Sequence, residues 1–258
     1  TGTYIIGTKE LAVIDPGPID DNHLEAILNV TKDQKITHII VTHTHNDHSP
    51  LSKSLQEKTG ALIYSYNEKH INTGEDNKFE EGYDKDFKCD ISVKDGDIIK
   101  GKDWTLEAIH TPGHTSNHLC YSLIEEEILF SGDHVMGWST TVIVPPDGDM
   151  EEYMQSLEKL LLRNDRHYLP THGKMIENPH ELVRKYITHR ISRETQIKKA
   201  IESGNNKIMD IVKIIYADVD SKLYPAASMS TLAHLKRMIN NGQIKVNGSN
   251  LNGFYEIN

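Results

Sequence analysis

Residues 41–50 read VTHTHNDHSP. Three histidines and an aspartate fall within six positions, His43 to His48, between the apolar run KITHIIV and Pro50. Side chains on a strand alternate sides, so His43 and His45 can point the same way where strand gives way to loop. Asp47 and His48 follow on the turn that opens the next helix and can converge on the same space from the other side. Imidazole and carboxylate are good ligands for zinc and related divalent ions, and one such cluster holds too few of them to complete two sites. Further ligands are therefore expected from elsewhere in the chain.

Three residues fit. His114 in TPGHT, Asp133 in FSGDH and His172 in PTHG each stand just past an apolar strand, with Gly113 letting the backbone turn sharply before His114. Ligand sites in layered α/β proteins are assembled from such strand-end loops.

The surrounding chain supplies the strands. TYII and ELAVID read as two short strands, and PGPIDDNHLEAILNVT as a loop entering an amphipathic helix. KITHIIVTH is a near-continuous apolar run, as expected for a strand covered on both faces. Ser49 is a good N-cap, Pro50 a good first helical residue and Gly60 a good stop. ALIYSY is a further strand, and Asn67 to Asp90 is a polar, acidic stretch expected to be irregular. DIIK, WTLEAIH, HLCYSLI and EILFSGD are strands, the last two joined by an acidic turn at Glu125 and Glu126. Asp149 and Glu152 form a capping box for a helix through Leu162, HYLPTHG is a buried strand, and Asn178-Pro179 opens a long helix running towards Gly204. Beyond about residue 190, NKIMDIVKIIYADV and STLAHLKRMINNG read as two more helices, followed by two short strands around an Asn/Gly-rich turn in QIKVNGSNLNGFYEIN. Helix, helix, helix, hairpin is the order of a winged-helix module. The division expected is residues 1–189 for the main domain and 190–258 for the winged helix.

Bulk numbers limit the function. At 258 residues the chain holds one large domain plus a small module. Apolar residues at 37% and charged residues at 26% suit a soluble globular protein, and no apolar run approaches the roughly 20 residues that cross a bilayer. The formal charge of −10 argues against a wholly basic nucleic-acid binder. From Ile191 onward there are 9 Lys+Arg against 6 Asp+Glu, which leaves 19 against 32 before it. Cys89 and Cys120 lie far apart and form no CxxC, as expected in a reducing compartment. A cytoplasmic location follows. The chain starts at Thr1 and enters a strand almost at once, so a native N-terminus with any targeting segment is expected to precede it, giving a mitochondrial location for a eukaryotic source.

HxHxDH at 43–48, followed in order by a single His, Asp and His, resembles the metallo-β-lactamase superfamily. Asp15 in VIDPG matches that superfamily's first motif, whose carboxylate supports the metal loop. The resemblance implies an α+β fold, a four-layer αββα sandwich, with metals at one edge. It implies that His43, His45 and His114 hold one ion, that Asp47, His48 and His172 hold a second, and that Asp133 bridges them. Two zinc ions are the expected cofactor, with manganese or iron as alternatives. A hydroxide between the ions would be the nucleophile, which makes Asp47 and Asp133 catalytic and removes the need for a Ser or Cys.

Within the superfamily, His45 stands where diiron flavoproteins usually carry Glu, and Asp133 where the common zinc β-lactamases carry Cys. The short interval from Asp133 to His172 leaves no room for a β-CASP insertion. Glyoxalase II shares all seven ligands but has a helical C-terminal part. The chain looks most like the beta-lactamase-like protein 2 family, through SGDHVMGWSTTVIVPPDGDMEEYMQSLEKLL, IMDIVKIIY and LAHLKRMINNGQI. That family's animal member looks like an endoribonuclease on single-stranded RNA. The leading expectation is thus cleavage of single-stranded RNA. The alternative is a small-molecule ester or thioester, as for glyoxalase II. A winged-helix regulator with a metal sensor is disfavoured by seven intact ligands.

Trp138 in HVMGWSTTV is expected to line the approach to the metals, either stacking a base or partly buried as packing. His118 is a candidate supporting residue, His134 should point away from the metals, and His110 should be core. The winged helix would start its third helix near Ser230 and carry His234, Lys236 and Arg237. Packing or dimerisation over the cleft is the expected role, with direct contact to a nucleic acid the alternative.

Overall fold

The computed structural model describes residues 1–66 and 82–258. Residues 67–81 of the acidic stretch lie outside the described part. Elements follow one another as β1 (Tyr4–Ile6), β2 (Glu10–Ile14), α1 (Asp21–Val30), β3 (Lys35–Ile40), α2 (Leu51–Thr59), β4 (Leu62–Ser65), β5 (Ile91–Ser92), β6 (Ile98–Lys100), β7 (Thr105–His110), β8 (Leu119–Leu123), β9 (Ile128–Gly132), α3 (Met150–Leu161), β10 (His167–Pro170), α4 (Pro179–Glu202), α5 (Ile208–Ile215), α6 (Tyr224–Asn240), β11 (Ile244–Asn247) and β12 (Phe254–Ile257).

Two five-stranded sheets run β1-β2-β3-β4-β5 and β10-β9-β8-β7-β6. The period-2 alternation of their side chains builds the layers. On β2, Ala12 and Ile14 face the second sheet and join Leu106, Ala108, Leu119, Tyr121 and Phe130 between the sheets. Leu11 and Val13 point the other way and pack with Leu24 and Ile27 of α1 and Leu51 and Leu55 of α2. On β8, Leu119 and Tyr121 face inward, while Cys120 faces Tyr153 and Leu157 of α3 and Val183 of α4. The order helix, sheet, sheet, helix is the αββα sandwich expected from the resemblance.

The C-terminal module has its own core. Ile197 and Ile201 from the end of α4 pack with Ile211 and Val212 of α5, Leu232, Leu235 and Met238 of α6, and Ile244 and Tyr255 of the hairpin. Helix α4 runs through residue 190 without a break and serves both cores. Helix α6 begins six residues before Ser230, at Tyr224, because Pro225 sits in its first turn, where a missing N–H costs nothing. The N-cap expected at Ser49 is also displaced. Pro50 occupies the cap position with no side-chain bond, and the Ser49 hydroxyl donates instead to Asp84 at 3.0 Å. Gly60 ends α2 in the left-handed conformation as expected. Among the described residues no helix is long and apolar enough to cross a membrane.

Candidate metal centre

The chain delivers its polar groups at the C-terminal ends of strands. Asp15 follows β2, His43 lies just beyond β3, His114 beyond β7, Asp133 directly after β9, and His172 beyond β10. Two glycines make the approach feasible. A Cβ on Gly113 would lie 2.3 Å from the Tyr153 backbone, and one on Gly132 would lie 2.5 Å from His118 Nε2.

All seven expected ligands converge. His43, His45 and His114 form one group able to hold an ion, and Asp47, His48 and His172 another. His45 Nδ1 lies 3.0 Å from His43 Nε2 and 3.1 Å from His114 Nε2. In the second group, His48 Nε2 and His172 Nε2 each lie 3.1 Å from Asp47 Oδ2. Asp133 stands between the groups. Its Oδ1 is 3.6 Å from His48 Nε2 and 3.5 Å from His172 Nε2, and its Oδ2 is 3.8 Å from His114 Nε2.

Outer partners settle which nitrogen faces inward. His48 Nδ1 donates to Asp15 Oδ2 at 2.9 Å. His43 Nδ1 bonds Thr42 Oγ1 at 3.0 Å, and that hydroxyl donates to Asp15 Oδ2 at 2.7 Å. His114 Nδ1 donates to the Val142 carbonyl at 2.7 Å. Each of these rings therefore turns its Nε2 into the pocket, the arrangement that orients imidazole on a metal. Asp15 is buried, adopts φ 48°, and also accepts the Thr42 N–H at 2.8 Å. Thr171 donates its hydroxyl to Asp133 Oδ1.

A cation fits this donor set. His45 Nδ1 lies 3.0 and 3.1 Å from the nitrogens of His43 and His114, near the roughly 3.3 Å edge of a tetrahedron with 2.0–2.1 Å bonds. A proton on His45 Nδ1 could satisfy only one of its two neighbours, whereas an ion satisfies all three. Electrostatics agree. Burial, then the surrounding imidazoles, pushes His43 and His45 well below the usual histidine range. Burial likewise lowers His114. These three are neutral at pH 7 and present lone pairs. Burial also opposes charge on His48, but Asp133 and Asp15 outweigh it and raise its pKa well above the ordinary value. The hydrogen bond to Asp47 raises His172. Burial pushes the Asp133 carboxyl up, yet His48, His114 and His172 outweigh that and hold it far below the usual carboxylate range. The carboxylates thus attract positive charge into the pocket, and a divalent ion provides it.

The other sequence candidates divide. His118 is buried, bonded to Thr111 Oγ1 at 2.9 Å, and accepts the Asp133 N–H at 3.1 Å through Nε2, so it supports the backbone of Asp133. His134 is buried against Tyr153, away from the ligand groups. His110 is half-buried rather than core, stacked on Tyr66 at 4.2 Å. Trp138 is 73% exposed, and its ring lies 6.2 Å from that of His172 at an interplanar angle of 16°. Partial burial, the ordinary role of such a Trp, does not apply here. Sequence reasoning missed Thr42, Thr171 and Tyr83. The two threonines precede ligand histidines, which is a signal in hindsight. Tyr83 packs its ring 4.7 Å from that of His45 and carries no signal.

On the winged helix, His234 is buried and Arg237 is engaged by Glu194 and by Glu151 of α3. Two of the three polar side chains expected on an open recognition face are therefore spent on packing.

Comparison with known proteins agrees with this geometry. The family described as Metallo-beta-lactamase superfamily matches residues 2–172, and the Beta-lactamase associated winged helix domain matches residues 208–253. The Beta-lactamase-like protein 2 homolog of Drosophila melanogaster is 30% identical over 99% of this chain and 87% of its own length. The Atrochrysone carboxyl ACP thioesterase of Aspergillus fumigatus is 32% identical over 79% of this chain and 60% of its own length. Among solved structures, a metallo-beta-lactamase family protein from Thermus thermophilus superposes with a TM-score of 0.79 at 18% identity, over 99% of this chain and 93% of that one. The chain belongs to the metallo-β-lactamase superfamily, in its beta-lactamase-like protein 2 branch, and is a metal-dependent hydrolase.

Proposed function

We propose that the pocket holds two zinc ions, with manganese or iron as the alternatives an N/O donor set admits, and that the protein cleaves phosphodiester bonds of single-stranded RNA. When bound, two such ions acidify water and stabilise charge on the oxygens of the scissile group. The chain's own contribution is orientation. Asp15 and Thr42 keep His48 and His43 with Nε2 inward, and Val142 does the same for His114. Asp133 directs one oxygen towards each group, which supports a paired rather than a single site. The observation carrying the substrate class is Trp138, an exposed ring lying flat beside His172, where an unstacked base can lie on it without sequence preference.

A thioester or ester substrate is the second reading. It is favoured by the apolar exposed side chains of Trp138, Val142 and Met175 close in sequence to ligands, and by the relative named as an ACP thioesterase. One experiment separates the two. Zinc-loaded and chelated protein are compared on labelled single-stranded RNA and on S-lactoylglutathione, with His48→Ala as control. RNA cleavage that disappears on chelation and in the control supports the first. RNA cleavage that survives in His48→Ala identifies a contaminating nuclease, and thioester turnover alone transfers the proposal to the second.

A further inference from the structure

Helix α4 lies outside the metal pocket, yet its buried face meets the loop that shapes it. Tyr186 and Arg190 stand one turn apart on that face. The Tyr186 hydroxyl is 2.7 Å from the carbonyls of both Met136 and Ser139, which flank Trp138. Arg190 Nη2 donates to the Thr141 carbonyl. The Thr141 hydroxyl in turn lies 2.6 Å from the Asp133 carbonyl and 3.0 Å from that of His134. The next residue, Val142, presents the carbonyl that receives His114 Nδ1–H.

Arg190 is an unusual choice for this place. It is 4% exposed, and among the described residues no carboxylate pairs with it. Its Nε finds no hydrogen-bond partner, and its guanidinium sits 5.3 Å from the centroid of the Tyr153 ring. Burying a cation without a counter-charge is expensive, and the face of an aromatic ring offsets only part of that cost. What the guanidinium gains is a grip on the Thr141 carbonyl, in a segment where the Thr141 hydroxyl meets the Asp133 carbonyl and the Val142 carbonyl meets His114. Helix α4 is itself held at the far end, where Glu194 receives Arg237 at 2.8 Å and Ile197 and Ile201 enter the winged-helix core.

We infer that Arg190 is a positioning residue for the metal pocket. It touches neither ligand nor substrate and acts through the Thr141–Val142 peptide to set the orientation of His114 and the backbone of Asp133. The inference rests on the proposal that these residues hold ions, and its test keeps the two apart. Full-length protein is reconstituted with cobalt(II), whose visible spectrum reports ligand geometry, and its affinity is measured by chelator competition. If the wild-type protein takes up no cobalt, the metal-site proposal itself falls. Given cobalt binding by the wild type, Arg190→Met is expected to weaken ion affinity by about tenfold, the lower end of the effect of losing an outer-shell partner, and to shift the cobalt bands in the folded protein. Arg190→Lys retains the charge and one donor and should recover part of both. If Arg190→Met does not fold, Arg190→Lys and Tyr186→Phe carry the test, each expected to alter the bands. A lowered melting temperature with unchanged bands and unchanged affinity in every folded variant would show a purely structural role and overturn the inference.

Discussion

Among the described residues, two clusters of histidines and carboxylates differ in whether their carboxylates find a cation of the chain. At the junction of α3, α4 and α6, Glu194 accepts Arg237 at 2.8 and 2.9 Å and lies 3.2 Å from His234 Nδ1, while Arg237 Nε reaches Glu151 at 2.8 Å. Each carboxylate there has a cation from the chain itself. In the pocket, neutral His43, His45 and His114 turn lone pairs towards one another, and among the described residues Asp133 has imidazoles for its charge partners. A cluster whose carboxylates meet a cation of the chain holds structure together. One that leaves its lone pairs and negative charge facing a common point is built for something the chain does not contain.

The sharpest attempt to break this contrast is Asp133→Asn. Losing the negative charge that stands between the two ligand groups should lower hydrolysis by about a thousandfold or more and reduce the metal bound per chain, while the melting temperature of the metal-free protein stays level or rises. Metal analysis and calorimetry on one preparation test both halves. Metal content equal to wild type would count against the proposed role of Asp133 between two ions.

At the junction the expected effect is on stability. Arg237→Ala leaves Glu194 buried with only His234 beside it, costing about 3 kcal/mol, the low end for breaking a buried pair because Arg237 keeps some solvent. For a chain of this size that is roughly 6–12 °C in melting temperature. Hydrolysis per folded molecule and metal content should not change. If they fall, the junction is not merely a brace.

Asp15→Asn tests the pocket's outer layer. Asn tolerates the left-handed φ of this position, so the fold should survive. His48 and Thr42 lose a charged acceptor, and affinity at the Asp47–His48–His172 group should fall about 10–100-fold, read by chelator competition.

The ligands were legible because each is a polar residue interrupting an apolar strand at its end, and HxHxDH packs four of them into one stretch. The layers were legible because β2 and β8 alternate with period two. Arg190 was not legible. Its role depends on a carbonyl some fifty residues earlier, and in sequence it is one basic residue among several on a helix. The start of α6 was missed for a local reason. Pro225 reads as a breaker until the turn around it shows that it is an initiator. Likewise His234 and Arg237 look like a cationic face until Glu194 and Glu151 are placed opposite them.

The smallest effect concerns pH at the closed cluster. Burial, only partly offset by the bond to Glu194, lowers His234 from its ordinary value to about 4. The neutral ring is therefore the form the fold prefers. Between pH 4 and about 6.5 the unfolded chain binds a proton there that the native state refuses, so stability rises with pH across this window and is lost as pH falls through it. From pH 7.5 to 5.5 the loss from this one group should be about 1 kcal/mol. Other groups titrate in the same range, so the measurement is a difference. His234→Asn keeps a donor towards Glu194 without a titrating ring, and both proteins are unfolded by denaturant at the two pH values with zinc in excess. The wild type should lose about 1 kcal/mol more than the variant. Equal losses would mean that His234 carries its proton inside the fold, as a second cation beside Glu194 with Arg237, and that the junction closes by a different charge count.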